Sequence, residues 1–256
     1  HNLYMCELMD KTILDCTLNN RTQLKNRFFI NGDPHAILLM EVRSDSIEQT
    51  KEMAEELIIS LKKENLGYAY PKLFSSDIDK AINLRNAGLG LLGNIIGDAK
   101  AVACIEDTAV ALPDLPAYIS EFTDMMNRYN QKAVYYAHAG AGELHLRPIL
   151  NLKKSKDVQL FRKITEEVAH LVKKYGGSLS GEHGDGMLRA EFIPLMIGEE
   201  NYELLKKIKQ TFDPTNIFNR GKIVDPYEMV SSLRNETDKI AEEIKTIQDF
   251  SEEQGI

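Results

Sequence analysis

Ala133-Val-Tyr-Tyr136-Ala-His138-Ala-Gly-Ala-Gly142-Glu143-Leu-His145-Leu-Arg147 reads as two short apolar strands joined through a glycine turn. A two-residue turn at Ala141-Gly142 sets His138 directly opposite His145. Opposed residues share one face of a sheet, with Cβ atoms about 4.5–5.5 Å apart. Two imidazoles that close can bind one divalent ion, and one further carboxylate would complete a centre with an open position. Glu143 shares the face of His145 and is a candidate for contacting the substrate.

Outward from this hairpin, apolar runs alternate with helical periods. Ala36-Ile-Leu-Leu-Met-Glu-Val42 reads as a buried strand, and Ser46 with Gln49 opens a helix carrying Met53, Leu57, Ile58 and Leu61. A second unit runs from the strand Ala101-Val-Ala-Cys-Ile105 into a helix opened by Pro113, with Leu115, Ile119, Phe122 and Met126 on one stripe. After the hairpin, Val158, Phe161, Ile164, Val168, Leu171 and Tyr175 mark a long helix. The expected fold is therefore α+β: an antiparallel sheet with helices packed on one face, ferredoxin-like βαβ repeats, and a helical segment toward the C-terminus. A short helix from about Gly198 ends at Asp213-Pro214. The domain is expected to span 1–225, and the charged, weakly periodic residues 226–256 to form a helical tail or linker.

The 256 residues carry 31 Lys and Arg against 39 Asp and Glu, a net charge of −8, which disfavours a general nucleic-acid binder. With 43% hydrophobic and 27% charged residues the chain reads as globular. Its longest apolar run, near Ala36–Met40, is far below the roughly 18 residues of a membrane span, so no integral membrane segment is expected. Cys6, Cys16 and Cys104 form neither a disulfide framework nor a cluster motif, which fits a reducing, cytoplasmic compartment. The chain opens on His1 without Met or a signal segment, and is expected to be a piece of a longer protein.

A second histidine among glycines lies in Gly176-Gly-Ser-Leu-Ser180-Gly-Glu182-His183-Gly-Asp185-Gly186. Five glycines in eleven residues imply positive φ or a close approach. Adjacent Glu and His side chains diverge in an extended chain, so one can complete a metal site while the other meets a substrate proton. Histidine is the usual general base near neutral pH. His35 and His170, without polar or glycine company, read as structural. Ser178 and Ser180 lack any nucleophile-elbow pattern.

His138-x6-His145 in its glycine hairpin, Ser180-Gly-Glu-His-Gly184, and Phe212-Asp-Pro-Thr-Asn-Ile-Phe-Asn219-Arg-Gly-Lys222 together resemble the C-terminal domain of FAD-linked oxidases of the vanillyl-alcohol-oxidase type. This is the family of D-lactate, glycolate and D-2-hydroxyglutarate dehydrogenases, and the resemblance covers roughly residues 5 to 225. Leu84-Arg85 before Gly88-Leu-Gly90 resembles the segment of its substrate-carboxylate arginine, and Ile105-Glu-Asp107 the strand opening its second half. The resemblance implies His138, His145 and Glu182 as ligands of a divalent metal (Zn, Mn or Fe), His183 as catalytic base, Arg85 as carboxylate clamp, and Asn219 near the flavin. It implies a small D-2-hydroxy acid substrate, whose C2 hydride passes to flavin N5. The implied FAD is held mainly by an FAD-binding domain of the same protein that this chain lacks, so the chain alone is expected to be inactive. Gly140-Ala-Gly-Glu143 replaces the more usual Gly-Asp-Gly-Asn, and Asn219-Arg-Gly-Lys222 the usual Asn-Pro-Gly-Lys. These variants are most similar to long bacterial members fused to a cysteine-rich portion, where any iron–sulfur cluster would reside. The electron acceptor is left open, as is peripheral membrane contact of the full protein. The competing readings are a non-catalytic interaction module and a metal-dependent hydrolase, in which the ion activates water without flavin.

Overall fold

The computed structural model describes residues 3–235 and 237–240. The elements in chain order are β1 (Met5–Asp10), α1 (Lys11–Leu18), α2 (Arg21–Leu24), β2 (Ala36–Glu41), α3 (Ile47–Lys63), α4 (Ser76–Leu91), β3 (Lys100–Ala101), β4 (Ile105–Ala109), α5 (Leu115–Arg128), β5 (Ala133–His138), β6 (Glu143–Leu150), α6 (Ser155–Lys174), α7 (Ile193–Ile197) and α8 (Glu199–Phe212). The strands form one antiparallel sheet in the order β2-β1-β5-β6, and β6 pairs with both β3 and β4. The α+β expectation holds.

Period-2 alternation divides the sheet into two faces. Ala137, Leu144, Leu146 and Leu150 meet Tyr118 and Phe122 of α5 and Phe161, Ile164, Val168 and Val172 of α6 in the main core. The i, i+3, i+4, i+7 spacing of the buried α6 residues is what makes that helix amphipathic. The opposite face is covered as well. Met9, Val134 and Tyr136 pack there with Ile13 and Leu14 of α1 and Leu89 of α4. Helices thus lie on both faces, because β1 and β2 place apolar residues on each. The same face that carries α1 and α4 also carries Glu7, His138, His145 and Arg147, so the second layer of helices walls the polar group.

Three local readings change. Ala36–Glu41 is an edge strand rather than a buried one, with Leu38 exposed. The apolar run Ala101–Ile105 splits into β3 and β4, because β6 is long enough to pair with two short strands in succession. The hairpin turn is also wider than two residues. Ala139–Ala141 form a single 3-10 turn and Gly142 closes it at φ 72°, so His138 pairs with Glu143 and His145 with Tyr136. A Cβ on Gly142 would lie 2.1 Å from the Val110 carbonyl oxygen, which explains the glycine there. The register shifts by two residues, an even number, so both histidines keep the same face.

After α8, residues 226–235 and 237–240 form turns and irregular chain, and Met229 is buried in the main core. The rest of the expected tail lies outside the described residues. No helix among the described residues is long and apolar enough to cross a membrane.

Candidate active site

The cluster is assembled from β1, β4, α4, the β5–β6 hairpin and the loop after α6. The His138 and His145 rings lie 5.2 Å apart, edge to face. Each Nε2 is 3.7 Å from the same oxygen, Glu182 Oε1. The His183 ring stacks on His145 at 5.4 Å with an interplanar angle of 13°, and its Nε2 is 3.2 Å from Glu182 Oε1. His145 is buried at 3% side-chain exposure, whereas Glu182 and His183 are about half exposed.

Asp107 holds the glycine loop to the sheet. It is the extra residue where the β4–β6 register shifts, buried at φ 87°. Its carboxylate accepts from Ser180 Oγ at 2.6 Å, the Glu182 amide at 2.8 Å and the His183 amide at 2.9 Å. Arg189, also buried, lies 3.4 Å from Asp107 and donates to the carbonyls of Glu106 and Gly184. Burial pushes the Asp107 carboxyl up, but hydrogen bonds from Glu143, Ser180 and the two amides outweigh it and leave it well below the carboxylate range. Burial and the neighbouring carboxylates of Asp107 and Glu182 push Glu143 the other way, above that range. Gly181 sits so close to Glu143 that a Cβ there would be 2.9 Å from Oε1.

Arg85 projects from α4 over the Tyr136 ring, 4.4 Å from its centroid. Its Nη2 lies 2.6 Å from Glu7 Oε2 and 3.1 Å from His138 Nδ1, and its Nε is buried without a partner. On the other flank, Arg147 Nη2 pairs with Glu106 Oε2 at 2.6 Å. Of the site residues expected from sequence, His138, His145, Glu182, His183, Arg85 and Glu143 come together. Asn219 stands apart in an exposed turn, at φ 48°, where its Oδ1 accepts from Lys222 Nζ. Sequence reasoning assigned no role to Glu7, Glu106, Asp107, Arg147 or Arg189. The available signal was acids inside otherwise apolar strands, in Met5-Cys-Glu7-Leu-Met and Ile105-Glu-Asp107.

The donor set suits a divalent ion. One donor atom from each of His138, His145 and Glu182 lies within 4.8 Å of the others. Tetrahedral bonds of about 2.0–2.1 Å would place ligand atoms about 3.4 Å apart, close to the observed 3.7 Å. Burial pushes His145 below the ordinary imidazole range, which favours the neutral form that ligates. If the three donors hold a metal, about one equivalent of Zn, Mn or Fe in the chain is expected by plasma mass spectrometry, reduced to trace in His145→Ala, which removes one of the three donors outright. Equal trace metal in both proteins would remove the metal assignment.

The family described as FAD linked oxidases, C-terminal domain, matches residues 1–223. A D-2-hydroxyglutarate dehydrogenase of Pseudomonas putida is 31% identical over 91% of this chain and 24% of its own length. One from Haemophilus influenzae is 39% identical over 63% of the chain and 16% of its own length. A D-lactate dehydrogenase of Archaeoglobus fulgidus is 28% identical over 75% of the chain and 40% of its own length. Among solved structures, 4-ethylphenol oxidase from Gulosibacter chungangensis matches 88% of this chain and 48% of its own, with a TM-score of 0.57 at 12% identity, a likeness of fold. The chain spans less than half the length of each of these proteins.

Proposed function

The chain belongs to the C-terminal-domain family of FAD-linked oxidases, and from that premise we propose that it is the substrate-binding and catalytic cap of an FAD-dependent D-2-hydroxy acid dehydrogenase. The observation that carries this reading is the convergence of His138, His145 and Glu182 with His183 and Arg85 beside them. His138, His145 and Glu182 would hold a divalent metal, which when bound orients and polarises an alcohol oxygen. Arg85 offers its remaining N–H donors to the substrate carboxylate, a planar pairing that guanidinium suits. His183, stacked on His145 and half exposed, is placed to take the hydroxyl proton as the C2–H bond breaks. FAD, held mainly by a part of the protein outside this chain, supplies the hydride-accepting chemistry. Asn219 is assigned to the flavin side, where its separation from the histidine cluster is no obstacle. The substrate is a small D-2-hydroxy acid; the relatives at 31–39% identity, each named a D-2-hydroxyglutarate dehydrogenase, favour 2-hydroxyglutarate over lactate or glycolate.

The test is anaerobic mixing of the full-length flavoprotein with each D-acid and its L-enantiomer where one exists. Bleaching of the flavin by D-2-hydroxyglutarate, with the L-enantiomer inert, is the expected result. A flavin that stays oxidised with every 2-hydroxy acid would end this reading.

A further inference from the structure

We propose that Glu7 is a positioning residue for the histidine pair: its carboxylate fixes His138 as the tautomer with hydrogen on Nδ1, leaving the Nε2 lone pair aimed where His145 and Glu182 also point. The proposal rests on the metal-holding reading above. Glu7 is buried in β1, on the sheet face of the cluster. Its Oε1 is 3.0 Å from His138 Nδ1 and its Oε2 is 2.6 Å from Arg85 Nη2. Arg85 Nη2 is itself 3.1 Å from Nδ1 and 3.4 Å from Nε2, so Nδ1 has both an acceptor and a donor within reach, whereas Nε2 has only the longer donor contact from this side.

The carboxylate decides between them. A lone pair on Nδ1 would face the Glu7 oxygen with no hydrogen between two acceptors, a repulsive contact in a poorly solvated place. Hydrogen on Nδ1 converts it to a charge-assisted hydrogen bond, while Arg85 keeps Oε2 as its own acceptor. The ring proton is then on the side away from Glu182.

The other flank shows the same orientation without the hydrogen bond. Glu106 Oε2 pairs with Arg147 Nη2 at 2.6 Å, and Glu106 Oε1 faces His145 Nδ1 at 3.8 Å. That Nδ1 is buried and has no hydrogen-bond partner, so a small approach of Glu106 would satisfy it. Two glutamates from β1 and β4 thus bracket the central strands. Each is tied to an arginine by one oxygen and turns the other toward a histidine Nδ1, and each histidine presents Nε2 to Glu182. Ion pairing alone explains neither the repeated orientation nor its coincidence with the two rings. Carboxylates placed this way fix the tautomer and orientation of metal-binding imidazoles.

Glu7→Gln tests the idea because it changes no volume. Arg85 will draw the amide oxygen, so the NH₂ group faces Nδ1 and drives the ring hydrogen to Nε2. Nitrogen-15 imidazole spectra of the metal-free chain read the tautomer directly, and a zinc titration reads affinity. We expect Nδ1–H on His138 in the wild type, Nε2–H in the variant, and zinc binding weakened about 10–100-fold. Nε2–H in the wild type, or an unchanged tautomer and zinc affinity in a folded variant, overturns the proposal. The wild-type spectrum decides it even if the variant does not fold. A wild type with the expected tautomer that takes up no zinc supports the positioning role and overturns the metal reading.

Discussion

Asp107→Asn is expected to lower the stability of the chain by about 3–5 kcal/mol, the range for removing one partner of a buried ion pair. Asn tolerates positive φ, so the backbone at φ 87° survives and the change isolates the carboxylate. The two oxygens divide the donors, Oδ1 taking the Glu182 amide and Oδ2 the Ser180 hydroxyl, the His183 amide and Arg189, so whichever oxygen becomes NH₂ a loop amide loses its acceptor. Buried Arg189 loses its anion. The loop that carries Glu182 and His183 should detach first, so metal content should fall under conditions where the helices still hold. Urea unfolding and metal analysis on the same samples measure both effects. The pH dependence follows from the depressed Asp107 carboxyl. Its folded form titrates below the unfolded value, so its contribution is present above the ordinary carboxylate range and is lost as pH falls beneath it. The variant should therefore lose less stability than the wild type over that acid window. A variant as stable as the wild type, with metal retained, would remove Asp107 from the positioning of the loop.

The residues that were legible in sequence are those whose cause is local. The β5–β6 hairpin announces itself by apolar runs around a glycine turn, and α5 and α6 by helical periodicity. The hairpin's turn is two residues longer than the Ala141-Gly142 pair implies, because Gly142 closes a 3-10 turn that the pair does not advertise. The difference preserves parity, and so the shared face of His138 and His145 survives it. Of the elements that the sequence does not announce, three are hidden for different reasons. The strand β1 turns Glu7 toward the site and lacks clean alternation, α1 is only eight residues long, and α4 carries Gly88 and Gly90 with little segregation of apolar residues. Glu7 and Asp107 were illegible as site residues because their partners are remote. Glu7 meets a histidine 131 positions away, and Asp107 binds an amide 75 positions away. Such roles exist only once the sheet has closed.

His183→Asn should slow flavin reduction in the full-length protein by about 10²–10⁴-fold, the usual contribution of a positioned general base. The fold should barely notice. The side chain is half exposed, and what Asp107 grips is the His183 backbone amide, which the substitution leaves in place. Stability within about 0.5 kcal/mol of the wild type is therefore expected. The discriminating quantity is metal content, because a second triad of Glu106, His145 and His183 also brings its donor atoms within 4.8 Å of one another. If His183 is the base, the variant keeps its metal and its affinity for the D-acid while the rate of flavin bleaching collapses. If His183 is a ligand, metal and rate fall together, and the base must be sought elsewhere. Unchanged bleaching with metal retained would assign it neither role. Under the proposed division of roles, the stacking of His183 on His145, with near-parallel rings 5.4 Å apart, sets it beside the ring proposed to hold the metal, where a bound alcohol would meet it.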